Sequence, residues 1–347
     1  MKKIVVAIYG HPESYPPTLN ALNELSNVFS EIDVLYRPNI KSTWSYAANI
    51  NLIPSGKPIS VRKQMSASYF SKIIYLLQFT RHFIKLASKG DVDYILIYDY
   101  LPMICLYLSK FFISSKIKLW YHSHDVVELK DIRKYSIGKF AMKAQNRCFK
   151  YLDLFTCPSI ERLAYFPMDK FKGDFILLPN YPSISFYQKF TKVEKVNNLT
   201  KLIYQGSVNQ EHGLEEICSF IKDKNLYKLS IAGQIQDNYQ KKLISICSER
   251  QIHFHGFINY NSLPMITSSC HIGIAINKPT AGVIYQTGGG ASNKIYEYAA
   301  CGLPILYFDN EHYNKYLNKY EWAFATDLSE GSIDKCVNEI LNKYDYY

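Results

Sequence analysis

Short runs of β-branched and aromatic residues that stop at a glycine, with a helical span behind, recur along this chain. Lys3 to Tyr9 ends at Gly10, Leu202 to Gln205 at Gly206, Leu229 to Ala232 at Gly233, and Ile252 to His255 at Gly256. Strand, glycine and helix in that order build doubly wound α/β sheets, whose ligands sit at the carboxyl ends of the strands. With 347 residues, 48% of them hydrophobic, two domains of ordinary size are expected.

The densest example runs from Gln286 to Phe308. Three glycines, Gly288, Gly289 and Gly290, lead through Ala-Ser-Asn293-Lys294 into a helical span that Pro304 ends; Ile305 to Phe308 then reads as a buried strand. A glycine loop feeding a helix N-terminus favours an anion, phosphate first among candidates. Lys294 can add a point charge. Glu297, three residues on, shares its face, and a carboxylate accepts two hydrogen bonds, which suits the paired hydroxyls of a ribose. The same residues also fit a flexible loop and a solvated ion pair. The spacing is neither that of a Walker loop nor of a Gly-x-Gly-x-x-Gly fingerprint.

Ser292 to Leu306 resembles the donor-site segment of the GT-B glycosyltransferases often called family 4. The resemblance implies two Rossmann-like domains facing a cleft. Glu297 would bind the ribose of a nucleotide sugar, and Lys294, Asn293 and the Gly288–Gly290 amides would face its diphosphate. It also assigns Gly206, Ser207 and His212 to the donor phosphates. Two departures from the family matter. Ser207 and His212 stand where basic residues are frequent, and Gly289 stands where many relatives carry a second Glu.

Charge is unevenly spread. Residues 1–182 hold 24 Lys and Arg against 14 Asp and Glu, whereas residues 183–347 hold 16 of each. Such a one-sided field suits an anionic membrane surface, a lipid-linked phosphate or nucleic acid, or is simply a solvated basic surface. No nucleic-acid recognition motif accompanies it. The eight cysteines lack a C-x-x-C pair and fit reduced, packed thiols. No apolar run is long enough for a spanning helix or a signal peptide, so a cytoplasmic protein is expected, at most peripheral on the inner face of the membrane.

In the first half, Gly10-His11 closes the first strand and reads as a tight turn or an acceptor-side loop. Pro38 to Ser60 reads as a long loop. Ser66 to Lys89 reads as a helix packed on the sheet through Phe70, Ile73, Ile74, Leu77, Thr80, Phe83, Ile84 and Ala87, with a basic outer face. Membrane-surface contact, helped by Arg62-Lys63, is its second role. Asp91-Val92-Asp93 precedes a strand and reads as a turn, not a metal site. Lys116 to Tyr121 ends in His122-Ser123-His124-Asp125, where histidines are candidates for acid–base work. The family resemblance gives His124, and with it Asp125, a place beside the transferred sugar.

The domains expected are 1–182 on the acceptor side, 183–325 for the nucleotide sugar, and a 326–347 helix crossing back to the first domain, as the resemblance implies. The function implied is sugar transfer from a nucleotide-sugar donor to a lipid-linked or saccharide acceptor in bacterial surface polysaccharide assembly, with retention of configuration and no metal or other cofactor. A nucleotide-sugar 2-epimerase and a non-catalytic nucleotide-sugar-binding subunit are the alternatives.

Overall fold

A computed structural model describes the chain apart from residues 1, 40–43, 60–62, 64–66, 135, 191–198 and 347. The chain forms two compact units, Met1–Pro179 and Asn180–Tyr347.

The first unit is built on a parallel sheet of seven strands among the described residues: β1 (Lys3–Ile8), β2 (Glu31–Tyr36), β3 (Ile50–Pro54), β4 (Tyr94–Tyr98), β5 (Lys118–His122), β6 (Leu154–Cys157) and β7 (Asp174–Leu177). Their spatial order is β3-β2-β1-β4-β5-β6-β7. All six residues of β1 are buried, which is why this strand reads as a continuous apolar run rather than an alternating one. Each such Val or Ile contributes roughly 1.5–3 kcal/mol by leaving water. Lys3, at its start, is buried yet pairs with Glu31 at 2.6 Å and Asp91 at 3.4 Å, and its backbone N–H donates to Asp93. The two aspartates of the Asp91–Asp93 turn thus anchor the amino edge of the sheet.

Two expectations are corrected here. Part of Pro38–Ser60 is the edge strand β3, paired in parallel with β2 from Ile32↔Ile50 to Tyr36↔Pro54. Its edge position leaves it only partly buried, so its sequence carries little hydrophobic signal; Pro54 closes it where no ladder N–H is needed. The Tyr69–Ala87 helix buries Leu76, Phe79, Thr80, Phe83, Leu86 and Ala87. Phe70, Ile74 and Leu77, expected in the core, are exposed, in line with the exposed Arg81 and Lys85. Helical period alone did not separate two adjacent apolar stripes. Arg62 lies outside the described residues.

The second unit carries a six-stranded parallel sheet among the described residues: β8 (Thr200–Gln205), β9 (Tyr227–Ala232), β10 (Ile252–Gly256), β11 (Ile272–Ile274), β12 (Ile305–Phe308) and β13 (Ala323–Thr326). Their order is β10-β9-β8-β11-β12-β13. The C-terminal helix Glu330–Asn342 belongs to this unit. Its Ile333, Cys336, Val337 and Ile340 join the core that contains Leu214, Ile217 and Phe324. The apolar face of this helix is thus spent on the core of its own unit.

Both sheets have a point where strand order reverses, between β1 and β4 in one and between β8 and β11 in the other. Such switch points open a crevice at the carboxyl ends of the strands. All eight cysteines are buried free thiols.

Candidate active site

At the second sheet's switch point, Gly206 follows β8, and the Asn293–Ala300 helix starts behind the loop after β11. Gly206 has φ +116°, and a Cβ there would sit 3.9 Å from Lys294 Cε. The glycine thus gives the chain its turn and leaves the Lys294 stem open space. Ser292 occupies the N-cap position without a side-chain capping bond, so it does not satisfy the first-turn N–H groups. Asn293 Oδ1 is buried with no hydrogen-bond partner.

Lys294 Nζ donates to the Tyr204 hydroxyl at 3.0 Å, and that hydroxyl donates to the Ser207 carbonyl at 2.5 Å. Burial drags the ammonium down to about 7, against a smaller opposing pull from Glu297. Glu297, 5% exposed, accepts from Gln205 Nε2 at 2.5 Å. Burial pushes its carboxyl up to about 7, against the pull of its hydrogen bonds and of Lys294. Gln205 is held in turn by Thr267, whose hydroxyl donates to its Oε1 at 2.8 Å. So one helix carries a cation and a carboxylate, each driven toward neutrality by desolvation. A dianionic ligand beside Lys294 would restore the charge that burial removes.

His212 joins the cluster, its ring centroid 5.1 Å from that of Tyr204. Its Nδ1 lies 3.2 Å from the Ile276 carbonyl, which makes Nδ1 the protonated nitrogen. Burial, then the Lys294 charge, lower its pKa to about 3. In the empty site the ring is neutral at physiological pH.

Gly288, Gly289, Gly290 and Ala291 are buried. A Cβ on Gly289 would come within 2.8 Å of Tyr316 Cδ2 and 2.9 Å of the His312 carbonyl. The departure at this position thus has a packing cause, since no carboxylate side chain fits. The Ala291 and Ser292 amides both donate to the Gly288 carbonyl, at 3.0 and 2.8 Å, and are already committed. A cavity of about 460 Å³ near this cluster is lined by Val208, Asn209, Glu211, Gln236 and Tyr239 among others, but not by Lys294, Glu297 or the three glycines.

In the first unit, Gly10, Asp99 and Asp125 line one cavity of about 250 Å³ at the other switch point. Asp99, absent from the sequence reading, organises it. With φ +60° just after β4, it accepts from the His124 N–H at 2.8 Å through Oδ1. Its Oδ2 lies 3.3 Å from His124 Nδ1. His124 Nε2 is 2.9 Å from Thr18 Oγ1, and its ring stacks on Tyr98 at 4.5 Å and Tyr15 at 5.2 Å. Both ring nitrogens are engaged and the residue is buried, so proton transfer to a ligand requires one of these bonds to break. Asp125 is largely exposed, 4.0 Å from Arg162. His11 is buried, and its Nδ1 accepts from the Glu13 N–H at 3.3 Å. Its ring caps the Pro12–Ser14 turn. A second strand-end rule, applied to Tyr94–Tyr98, would have flagged Asp99; nothing in the sequence signals Gln205 or Thr267.

Residues 210–344 match the model of the Glycosyl transferase-like family. Among curated proteins none matches the sequence. Among solved structures, sucrose-phosphate synthase from Thermosynechococcus elongatus superposes with TM-score 0.70 at 12% identity, over 100% of this chain and 91% of the other. Anabaena HepE in complex with UDP and glucose gives TM-score 0.63 at 13% identity, over 98% and 90%. A protein designated a UDP-N-acetylglucosamine 2-epimerase from Listeria monocytogenes gives 0.57 at 9%, over 99% and 88%. At such identities these likenesses establish the fold. The family match is confined to residues 210–344, and over nearly the whole chain the likeness to these structures is one of fold.

Proposed function

We propose that the protein transfers a sugar from a nucleotide-sugar donor to a saccharide or lipid-linked acceptor, as in surface polysaccharide assembly, with retention of configuration and without a metal. The observation that carries this is the Lys294–Glu297 pair, buried at a strand-end switch point and pushed toward neutrality. Lys294, recharged by the diphosphate, would stabilise the leaving nucleoside diphosphate as charge builds on it. Glu297 would take the ribose hydroxyls once Gln205 shares or yields its bond. Asn293 Oδ1 offers a further unused acceptor. The glycine loop would contribute shape more than amides. HepE's bound UDP and glucose support a UDP-linked donor by analogy of fold. Among the described residues no group of three or more His, Cys, Asp or Glu could hold a metal ion.

His124 is proposed to face the transferred sugar by way of its loop rather than as a free acid or base, with Asp99 setting its orientation and Asp125 at the rim. A basic first unit and the exposed Phe70–Ile74–Leu77 stripe favour contact with an anionic membrane. No helix among the described residues is long and apolar enough to cross one.

The test is a thermal-shift screen of UDP-, GDP- and ADP-sugars against wild type and Glu297→Ala. The right donor raises the melting temperature of wild type by mass action, and the variant loses that rise. If no donor moves either protein, the donor assignment is wrong. A 2-epimerase would alter the sugar with no acceptor present, and a non-catalytic subunit would bind without turnover. Flotation on vesicles containing anionic lipid tests the membrane reading; no salt-sensitive association would remove it.

A further inference from the structure

In the first unit a second cavity, of about 580 Å³, shares a wall (Tyr9, Gly10, Tyr15, Tyr100 and Leu101) with the Asp99 cavity. Tyr9, Tyr15, Tyr75, Tyr100, Asn39 and Lys72 supply its chemistry. Behind Tyr75 lies Arg37, 1% exposed, its guanidinium carbon 4.6 Å from the ring centroid. Its Nη1 donates to the Ser55 carbonyl, not to a carboxylate, and its buried Nε has no partner. Asn39 Oδ1 and Ser55 Oγ are likewise buried without partners. A buried guanidinium answered, among the described residues, by a carbonyl and an aromatic face is a costly arrangement that an anion nearby would relieve. Its field reaches the cavity wall: burial pushes the Tyr9 phenol up to about 12, and Arg37 is what pulls it the other way.

We propose that this cavity binds a saccharide carrying a negative charge, its ring against the tyrosines, its hydroxyls on Asn39, and its anionic group drawn toward Lys72 and Arg37. Tyrosine faces suit the apolar side of a sugar ring, and their hydroxyls suit its rim. A neutral sugar would leave the Arg37 charge unanswered. An apolar ligand would leave Asn39 unmet as well. The inference deepens the transfer reading, since such a saccharide would be the acceptor, yet it is tested without turnover.

The experiment is calorimetric titration of glucuronic acid, glucose 6-phosphate and glucose into the full chain, with UDP titrated separately. Both charged sugars are expected to bind about tenfold or more tighter than glucose, the range of one charge-assisted contact. The tighter of the two tells a carboxylate-bearing residue from a phosphate-bearing one. Arg37→Met risks misfolding, so Lys72→Met is the variant of choice. It should erase most of the preference for charge and leave UDP affinity unchanged. Equal binding of the three sugars, binding of none, or a preference that survives Lys72→Met overturns the proposal. Charged-sugar binding without any nucleotide binding would keep this pocket and sink the transfer reading; UDP binding without charged-sugar preference would do the reverse.

Discussion

His124 in the first unit and Lys294 in the second are both polar side chains beside the carboxyl end of a strand, yet their surroundings differ. His124 has an aspartate on one nitrogen, a threonine on the other, and a tyrosine ring on each face. Lys294 has one phenol within bonding distance and a carboxylate further along its helix that is itself being driven neutral. A network whose members answer one another holds a loop in shape. A charge whose partners are missing marks where a ligand's charge belongs. In the first unit, Arg37 is a buried charge of the second kind, its Nε without a partner.

Substitutions can break this contrast, the largest effects coming first. Lys294→Met should lower kcat/KM by roughly 10²–10³-fold, the scale of removing one preorganised electrostatic contact. Initial rates with the donor found in the thermal-shift screen would measure it; an unchanged rate would place the diphosphate elsewhere.

Glu297→Gln should stabilise the empty protein. A carboxyl raised from 4.5 to about 7 is disfavoured as an anion in the folded state. Its penalty is absent below the unfolded pKa, grows as pH rises from 4.5 to 7, and is fully present above 7, at roughly 3 kcal/mol. Urea melts should therefore show the variant more stable than wild type at pH 8 and equal to it at pH 4. The same variant should lose donor affinity, a trade of stability against function.

Asp99→Asn should do the opposite. It breaks a satisfied network and should cost about 1–3 kcal/mol of stability while leaving nucleotide affinity untouched. Denaturation and UDP titration on the same preparation separate the two. A large loss of UDP affinity would erase the distinction between the units. Gly289→Ala should cost about 1–3 kcal/mol by overpacking against Tyr316 and the His312 carbonyl.

The sheets were legible because buried parallel strands carry continuous apolar stretches followed closely by glycine, residues 4–9 in and after β1 and residues 202–204 in β8. The edge strand β3 was not, because a half-exposed strand lacks that signature. The Gly206, Lys294 and Glu297 positions could be read from their place at strand and helix ends. Their charge state could not, since it depends on residues up to 92 positions away such as Gln205. Nor could the sequence show that His11 caps the turn after its strand, or that His212 is buried beside Tyr204 and Lys294 and neutral in the empty site.

The most direct measurement is calorimetry of UDP, and of GDP and ADP in parallel, at pH 8 in two buffers of different ionisation enthalpy. Lys294 is mostly neutral there in the empty site and must become charged beside a diphosphate. Binding of the right nucleotide should take up about one proton, and Lys294→Arg, charged throughout, should bind with none. Binding with no proton uptake in wild type, or uptake that persists in Lys294→Arg, would contradict the account.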